Sequence, residues 1–303
     1  MEKRYNRFVF EAEQGIRFEV CEGSNSELII KAFNCVATAN VYSDHYVNPP
    51  IPDGYHYSCG AWNNGYVIER NDDGSQFVWV PVGFLNADGT LNGEDYIEKF
   101  GRRSYNDDTF SKRDYNEPID NELQEQIESI KKYGGFYISR YNISKSTDGR
   151  PQSVKGEMPW VDVEYSEAKA LAESFAIGDT VKSHLTYGAE YDSVLAWLIQ
   201  SGSISREAIA ENSSAWGNYW DTESGPRTIV PTGSQKEWAA NGIYDLAGNV
   251  DEWTQERCDK SLYVIRGGNY YYDGCYCPVS YRCGMQSFRA FHNTGFRAAL
   301  CIK

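Results

Sequence analysis

Alternating and helical hydrophobic patterns divide the chain unevenly. Near the N-terminus, Phe8-Val9-Phe10 and the run Leu28 to Phe33 read as strands. Phe77 to Val82 is apolar throughout and follows the turn Asn71-Asp72-Asp73-Gly74, which predicts a buried strand. Asn121 to Lys132 has helical composition and is stopped by Gly134-Gly135. Phe136 to Tyr141 alternates as a strand does. A second helix is predicted from Ser166, with Ala168, Leu171, Ala172 and Phe175 at helical spacing. A third spans Gly188 to Gln200, with Val194, Leu195, Trp197 and Leu198 on its apolar face. After Gly202 the pattern breaks up into a long stretch rich in Gly, Asn, Trp and Tyr with only short strand-like pieces. Loop of that extent must satisfy its backbone polar groups through turns, side chains or a metal.

Two stretches mark the organisation. Asn48 to Gly54 holds three prolines, which cannot sit inside a ladder, so a boundary is placed there. It separates a small β-rich attachment segment, residues 1–50, from a domain over residues 51–303. Residues 86–118 are rich in Asp, Asn and Gly and are expected to form a long surface loop.

Composition narrows the function classes. The formal net charge of −14 and the lack of any Lys/Arg-rich run exclude a nucleic-acid groove. The acidity itself reads as solubility and colloidal repulsion. No window approaches the roughly 18 apolar residues of a membrane span, and no apolar stretch after Met1 makes a signal peptide. The expectation is a protein made in the cytoplasm, without membrane insertion, that leaves only by lysis or in a particle. The eight cysteines (Cys21, Cys35, Cys59, Cys258, Cys275, Cys277, Cys283 and Cys301) form no CxxC pair, so free thiols are expected rather than a zinc knuckle. Aromatic residues make up 15% of the chain, which suits β-rich cores and binding faces.

A set of ordered stretches carries a family likeness. Phe77 to Pro81, Gly135 to Tyr141, Pro159 to Val163 with Ala168, and His184 to Tyr191 resemble successive motifs of the formylglycine-generating enzyme superfamily. Asn241 to Trp253 closely resembles that family's NxxGLYDMxGNVWEW, and Ile265 to Gly268 and Gly295 to Arg297 resemble its RGGS and GFR ends. The resemblance implies an α+β fold of the C-type-lectin type, with two helices, short antiparallel strands and much ordered loop.

What the resemblance implies for chemistry differs by branch. Oxidase members bind copper through two cysteines after GGS, since soft thiolates suit copper(I). Here one such position falls near Cys277 and the other near Tyr272, which cannot act as a thiolate, so no copper is expected. An iron oxygenase branch needs a histidine triad, and His45, His56, His184 and His292 are widely spread; His184 reads as a residue that orients a helix start. The GNVWEW-type loop implies a structural Ca²⁺ site, with Asp245 and Glu252 as side-chain ligands and Gly248 and Val250 offering carbonyls. The alternative is that both acids cap turns or pair with arginine.

The stretch from Asn269 to Thr294 stands apart. It has no helix or strand pattern, and it contains no Lys, Glu or Trp. Apart from Met285 and Gln286, every residue in it can be written by a codon ending in C, the outcome expected when AAC codons are scrambled at their adenines. It resembles the variable segment of diversity-generating retroelement proteins, which lies on this fold between RGG and GFR. The resemblance implies a ligand-binding face formed by Tyr270, Tyr271, Tyr272, Asp273, Cys275, Tyr276, Cys277, Ser287, Phe288, Arg289, Phe291 and His292. Tyr gives large contact area at low rotamer cost, and Tyr and Arg anchor interfaces. The function expected is a receptor or adhesin for a protein or other cell-surface ligand, not an enzyme. Its setting would be a phage or prophage tail, with homo-oligomerisation possible in a fibre. The competing readings are a copper oxidase using Cys275, Cys277 or Cys283, and a structural module with an ordinary loop.

Overall fold

The computed structural model describes strands at residues 8–11, 17–22 and 28–33 and residues 49–61, 65–82, 100–101, 105, 117, 119–223, 225–258 and 261–303. The first three strands, β1 (Phe8–Glu11), β2 (Arg17–Glu22) and β3 (Leu28–Phe33), form an antiparallel sheet of their own in the order β1-β2-β3. The strands predicted at Phe8 and Leu28 are both present. The surface loop expected at 86–118 lies outside the described residues apart from Phe100, Gly101, Tyr105 and Glu117. Of these, Phe100, Tyr105 and Glu117 are buried, and the Tyr105 hydroxyl donates to the Asp192 carbonyl at 2.6 Å.

The main sheet has six strands: β4 (Tyr55–Cys59), β5 (Val67–Arg70), β6 (Gln76–Pro81), β7 (Gly135–Ser139), β10 (Val181–Leu185) and β17 (Ala298–Ile302). Their order is β10-β17-β7-β6-β5-β4, and every pairing is antiparallel. Its central strands are buried on both faces, which is why Phe77 to Val80 reads as an unbroken apolar run rather than an alternation. Val78, Val80, Phe136 and Ile138 face one core; Phe77, Trp79 and Tyr137 face the other.

Helices close the first core. Helix α1 (Asn121–Tyr133) begins at Asp120, whose carboxylate accepts from the Leu123 amide at 2.9 Å, and ends at Gly134 in the left-handed region, φ 80°. Glu122 in its first turn and Lys131 and Lys132 in its last complement the helix dipole. Helix α2 (Tyr165–Glu173) packs Ala168 and Ala172 on the second core; its cap position, Glu164, makes no side-chain cap bond. Helix α3 (Gly188–Gln200) lies against the first core through Val194, Leu195 and Leu198. Two carboxylates serve its N-terminus: Glu190 accepts from the Tyr187 amide at 2.8 Å, and Glu117 from Gly188 and Ala189. His184 on β10 is bonded to Glu190 at 2.9 Å, so it does brace the start of this helix. A short α4 (Arg206–Ala210) brings the α-helices among the described residues to four.

The remaining strands are short. They are β8 (Ser144–Lys145), β9 (Pro151–Gln152), β11 (Ala239–Ala240) and β12 (Ile243–Tyr244) in two hairpins, then a four-stranded sheet. That sheet consists of β13 (Asp251–Arg257), β14 (Leu262–Arg266), β15 (Cys283–Gln286) and β16 (Thr294–Phe296), ordered β15-β14-β13-β16. The class is therefore α+β, as expected. The proline stretch at 49–54 is packed rather than free, since the buried Tyr137 hydroxyl donates to the Pro50 carbonyl at 3.0 Å. No helix among the described residues is long and apolar enough to cross a membrane.

Candidate functional site

The motif residues meet in two buried ionic clusters beneath the loop-rich side. In the first, the Arg297 Nε donates to Glu252 Oε1 at 2.6 Å, and its other nitrogens donate to the carbonyls of Ser139, at 3.0 Å, and Tyr244. Asn142 Nδ2 donates to the same Glu252 oxygen at 2.7 Å. Thr232 links Asn142 to Asp245, whose Oδ2 accepts from the Thr232 hydroxyl and the Gly233 amide, each at 2.7 Å. Burial pushes the Glu252 carboxyl up to about 7 despite Arg297, and raises that of Asp245.

This cluster contains the expected calcium ligands. Asp245 Oδ1, Glu252 Oε2 and Asn142 Oδ1 are all buried without a hydrogen-bond partner. Orphaned oxygens of this kind are costly, and they suit a hard cation. Among the described residues no three His, Cys, Asp or Glu side chains are grouped to hold a metal, so a cation here would draw on amide and carbonyl oxygens as well. Gly248 and Val250 lie on the connecting loop, where the Gly248 amide donates to the Gly267 carbonyl at 2.9 Å. Asn142 was not singled out by sequence, because it sits 110 residues from Glu252.

The second cluster is a square of two cations and two anions. Arg266 of the RGG motif donates to Asp192 Oδ1 at 2.7 Å and Glu256 Oε2 at 3.2 Å. Arg282 donates to Glu256 Oε1 at 2.8 Å and to Asp192 Oδ2. All four side chains are at most 2% exposed. Arg282 lies inside the stretch that otherwise lacks pattern, so that stretch has a fixed post in its middle.

Above these clusters the chain from Gly268 to Thr294 makes a strapped loop. Gly268 has φ +71°, and a Cβ there would meet the Cys277 carbonyl at 2.4 Å, so only glycine fits. Asn269 is buried; it donates to Asp251 Oδ2 at 2.5 Å and accepts from the Tyr271 amide at 2.9 Å. The Trp220 amide donates to the Tyr272 carbonyl at 3.0 Å, the Gly274 amide to Asp221 at 2.8 Å, and the Ser213 amide to the Gly274 carbonyl at 3.1 Å. Further on, the Tyr165 amide donates to the Ser287 carbonyl at 3.1 Å and the Asp162 amide to the Phe291 carbonyl at 3.0 Å. The backbone is held while many side chains point outward.

The twelve expected face residues separate into groups. Tyr271, Tyr272, Asp273, Cys275, Tyr276, Phe288, Arg289 and His292 are exposed; Tyr270, Ser287 and Phe291 are partly so; Cys277 is buried. Cys283 pairs with Ile265 and Gln286 with Leu262, so β15 carries the chain from one end of β14 to the other. A first group, Tyr270 to Tyr276, belongs to the loop between β14 and β15, and a second, Ser287 to His292, to the loop between β15 and β16. Burial first, then Asp251 and Cys283, pushes the Cys277 thiol up to about 12. Among the described residues, Cys59 and Cys275 are exposed and Cys258, Cys277 and Cys301 buried.

The first group encloses a concavity of about 350 Å³ lined by Trp220, Tyr271, Tyr272, Asp273 and Tyr276. Trp220 comes from a different loop and could not be assigned to this face from sequence. Its only sequence signal is a position in the Gly- and Asn-rich run 217–220.

One family model matches most of the chain. Residues 69–302 match the model of the sulfatase-modifying factor enzyme 1-like domain. Among solved structures, PvdO from Pseudomonas aeruginosa is similar over 79% of this chain and 99% of its own, at 18% identity and a TM-score of 0.49. Treponema denticola variable protein 1 is similar over 76% of this chain and 97% of its own, at 16% identity and a TM-score of 0.42. A search of curated proteins found no match.

Proposed function

The chain belongs to the family of sulfatase-modifying factor enzyme 1-like domains, and on that scaffold we propose a ligand-recognition protein whose displayed residues are diversified by a retroelement. One observation carries the reading. Between Gly268 and Thr294, exposed Tyr271, Tyr272, Tyr276 and Phe288 ride on a backbone bonded to residues outside the segment. A recognition surface can change its side chains freely only if the support beneath stays rigid. The partner would be a protein or other cell-surface ligand, and the setting a phage or prophage tail particle. The Asp245, Asn142 and Glu252 cluster would hold a structural Ca²⁺ with the Gly248 and Val250 carbonyls, pinning the loop side without taking part in binding.

Deep sequencing of the 3′ end of the gene in a growing host or phage population tests this. The expected result is substitution confined to AAC-derived codons between Gly268 and Gly295, at exposed positions, with Arg282 fixed. An invariant stretch in a population with an active diversifying reverse transcriptase would overturn it.

The oxidase reading needs two convergent thiolates. A buried Cys277 whose thiol is pushed up to about 12 opposes that chemistry. Stoichiometric, thiol-dependent copper(I) binding would reverse the preference.

A further inference from the structure

The aromatic concavity of the first group has a more specific chemistry. We infer that it takes a trimethylammonium group, with the Asp273 carboxylate as counter-charge. This rests on the ligand-recognition reading and specifies its ligand class.

The rings are arranged as walls. Trp220 and Tyr271 have centroids 6.4 Å apart at 59°, Tyr271 and Tyr272 5.5 Å apart at 88°, and Tyr272 and Tyr276 5.7 Å apart at 38°. No two of these neighbours are parallel, so they do not form a flat platform for a sugar ring or a planar base. Tilted rings instead present several π-faces to a compact group. Each face carries partial negative charge and attracts a cation within about 6 Å. The chain already shows the preference at one ring, because the Arg227 guanidinium lies 4.9 Å over Trp220.

Charge and hydrogen-bonding capacity narrow the cation. One oxygen of nearby Asp221 accepts from the Gly274 amide, and the Ser214 hydroxyl is shared between the other and Asn212 Oδ1. Asp273 is exposed at the rim, and its main-chain carbonyl, not its carboxylate, accepts from the Tyr276 and Cys277 amides. Two carboxylates against one guanidinium leave the site net acidic. A primary ammonium is strongly hydrated and needs three acceptors, and a guanidinium needs a paired, planar set. The concavity supplies one carboxylate and apolar walls. A trimethylammonium group has no N–H to satisfy, and its charge is spread over methyl groups that fit such walls. The volume of about 350 Å³ admits that group together with part of what bears it.

The test is calorimetric titration of the full chain with choline at constant ionic strength, alongside 3,3-dimethylbutan-1-ol, its neutral isostere, and butylammonium. Choline is expected to bind, and both comparators to bind about tenfold more weakly or not at all. Trp220→Ala and Tyr276→Ala should each weaken choline about tenfold, and Asp273→Asn about threefold. Trp220 and Tyr276 are 44% and 68% exposed, so both variants should fold; an unchanged melting temperature checks this. Equal binding of the isostere, or no choline binding, overturns the inference. Phosphocholine and a trimethyllysine peptide, as further arms, distinguish a headgroup source from a protein source. Loss of choline binding alone would leave the diversification result standing, so the two failures are separable.

Discussion

Replacing Arg282 by methionine isolates the post that fixes the displayed segment. The guanidinium is 2% exposed and donates to Glu256 at 2.8 Å and to Asp192, while Arg266 takes the remaining oxygen of each acid. The square is neutral as built. Methionine keeps much of the aliphatic volume but leaves two buried carboxylates facing one buried cation. Breaking a buried ion pair by removing one partner typically costs about 3–5 kcal/mol. A domain of ordinary stability holds about 5–15 kcal/mol, so the loss is about a fifth of that stability at the least, and the variant folds only if the parent lies above the low end of the range. Urea unfolding followed by tryptophan fluorescence reads the loss. Arg289→Met is the control: Arg289 is exposed and its guanidinium donates to Gln286 at 3.2 Å, so its loss should fall within about 0.5 kcal/mol. A cost at Arg282 below about 1 kcal/mol, or one equal to the control, would refute the view that the square anchors the loop.

Three further outcomes follow from the geometry. Calcium at neutral pH should raise the melting temperature, the rise should vanish in Asp245→Asn, and it should fade below about pH 7, where Glu252 takes up its proton; an equal shift with magnesium or in the variant would count against the site. Burial opposes the charged form of His184, but Glu190 and then Glu122 outweigh it, so the folded ring holds its proton above the usual histidine range. The stability it adds is full below about pH 6.5 and is lost as pH rises through the higher folded value; denaturation across that window should show the slope in the parent and a flatter one in His184→Gln. Iodoacetamide should label exposed Cys275 well before Cys277, whose buried thiol is pushed up to about 12, and mass spectrometry of a time course would expose the opposite order.

Sequence carried the local structure much further than the contacts. Helix α1 was legible because Leu123 and Ile130 face the core and Gly134 ends the run with a positive φ. The start of α2 was read one residue late, at Ser166, because a serine suggests a cap; Tyr165 already belongs to the helix and Glu164 precedes it. The RGG and GFR arginines were visible as motif ends, yet their partners were not. Arg266 meets Asp192 across 74 residues and Arg297 meets Glu252 across 45, and no periodicity encodes such pairs. The alternative that Glu252 pairs with an arginine holds for one of its oxygens, which meets Arg297, while the other is unpartnered. Within the patternless segment, composition could not tell outward from inward. Cys277 and Tyr276 are adjacent and equally compatible with a scrambled codon, but one is buried and the other 68% exposed. Trp220 joins the same concavity from outside the segment, a convergence that depends wholly on how two loops are strapped together.

The position of β17 gives the fold a means of inspection. That strand is synthesised after residues 268–294, yet it lies inside the six-stranded sheet, between the edge strand β10 and β7. The sheet therefore cannot close until residues 298–302 have been synthesised, and pairings this distant in sequence form late. A change between Gly268 and Thr294 that kept Ala298 to Ile302 out of its slot would leave two inner strand edges bare. Such chains would expose sticky edges to proteases and chaperones. On the proposed reading, each changed loop would thus be tested by the folding of its own carrier before it met a ligand.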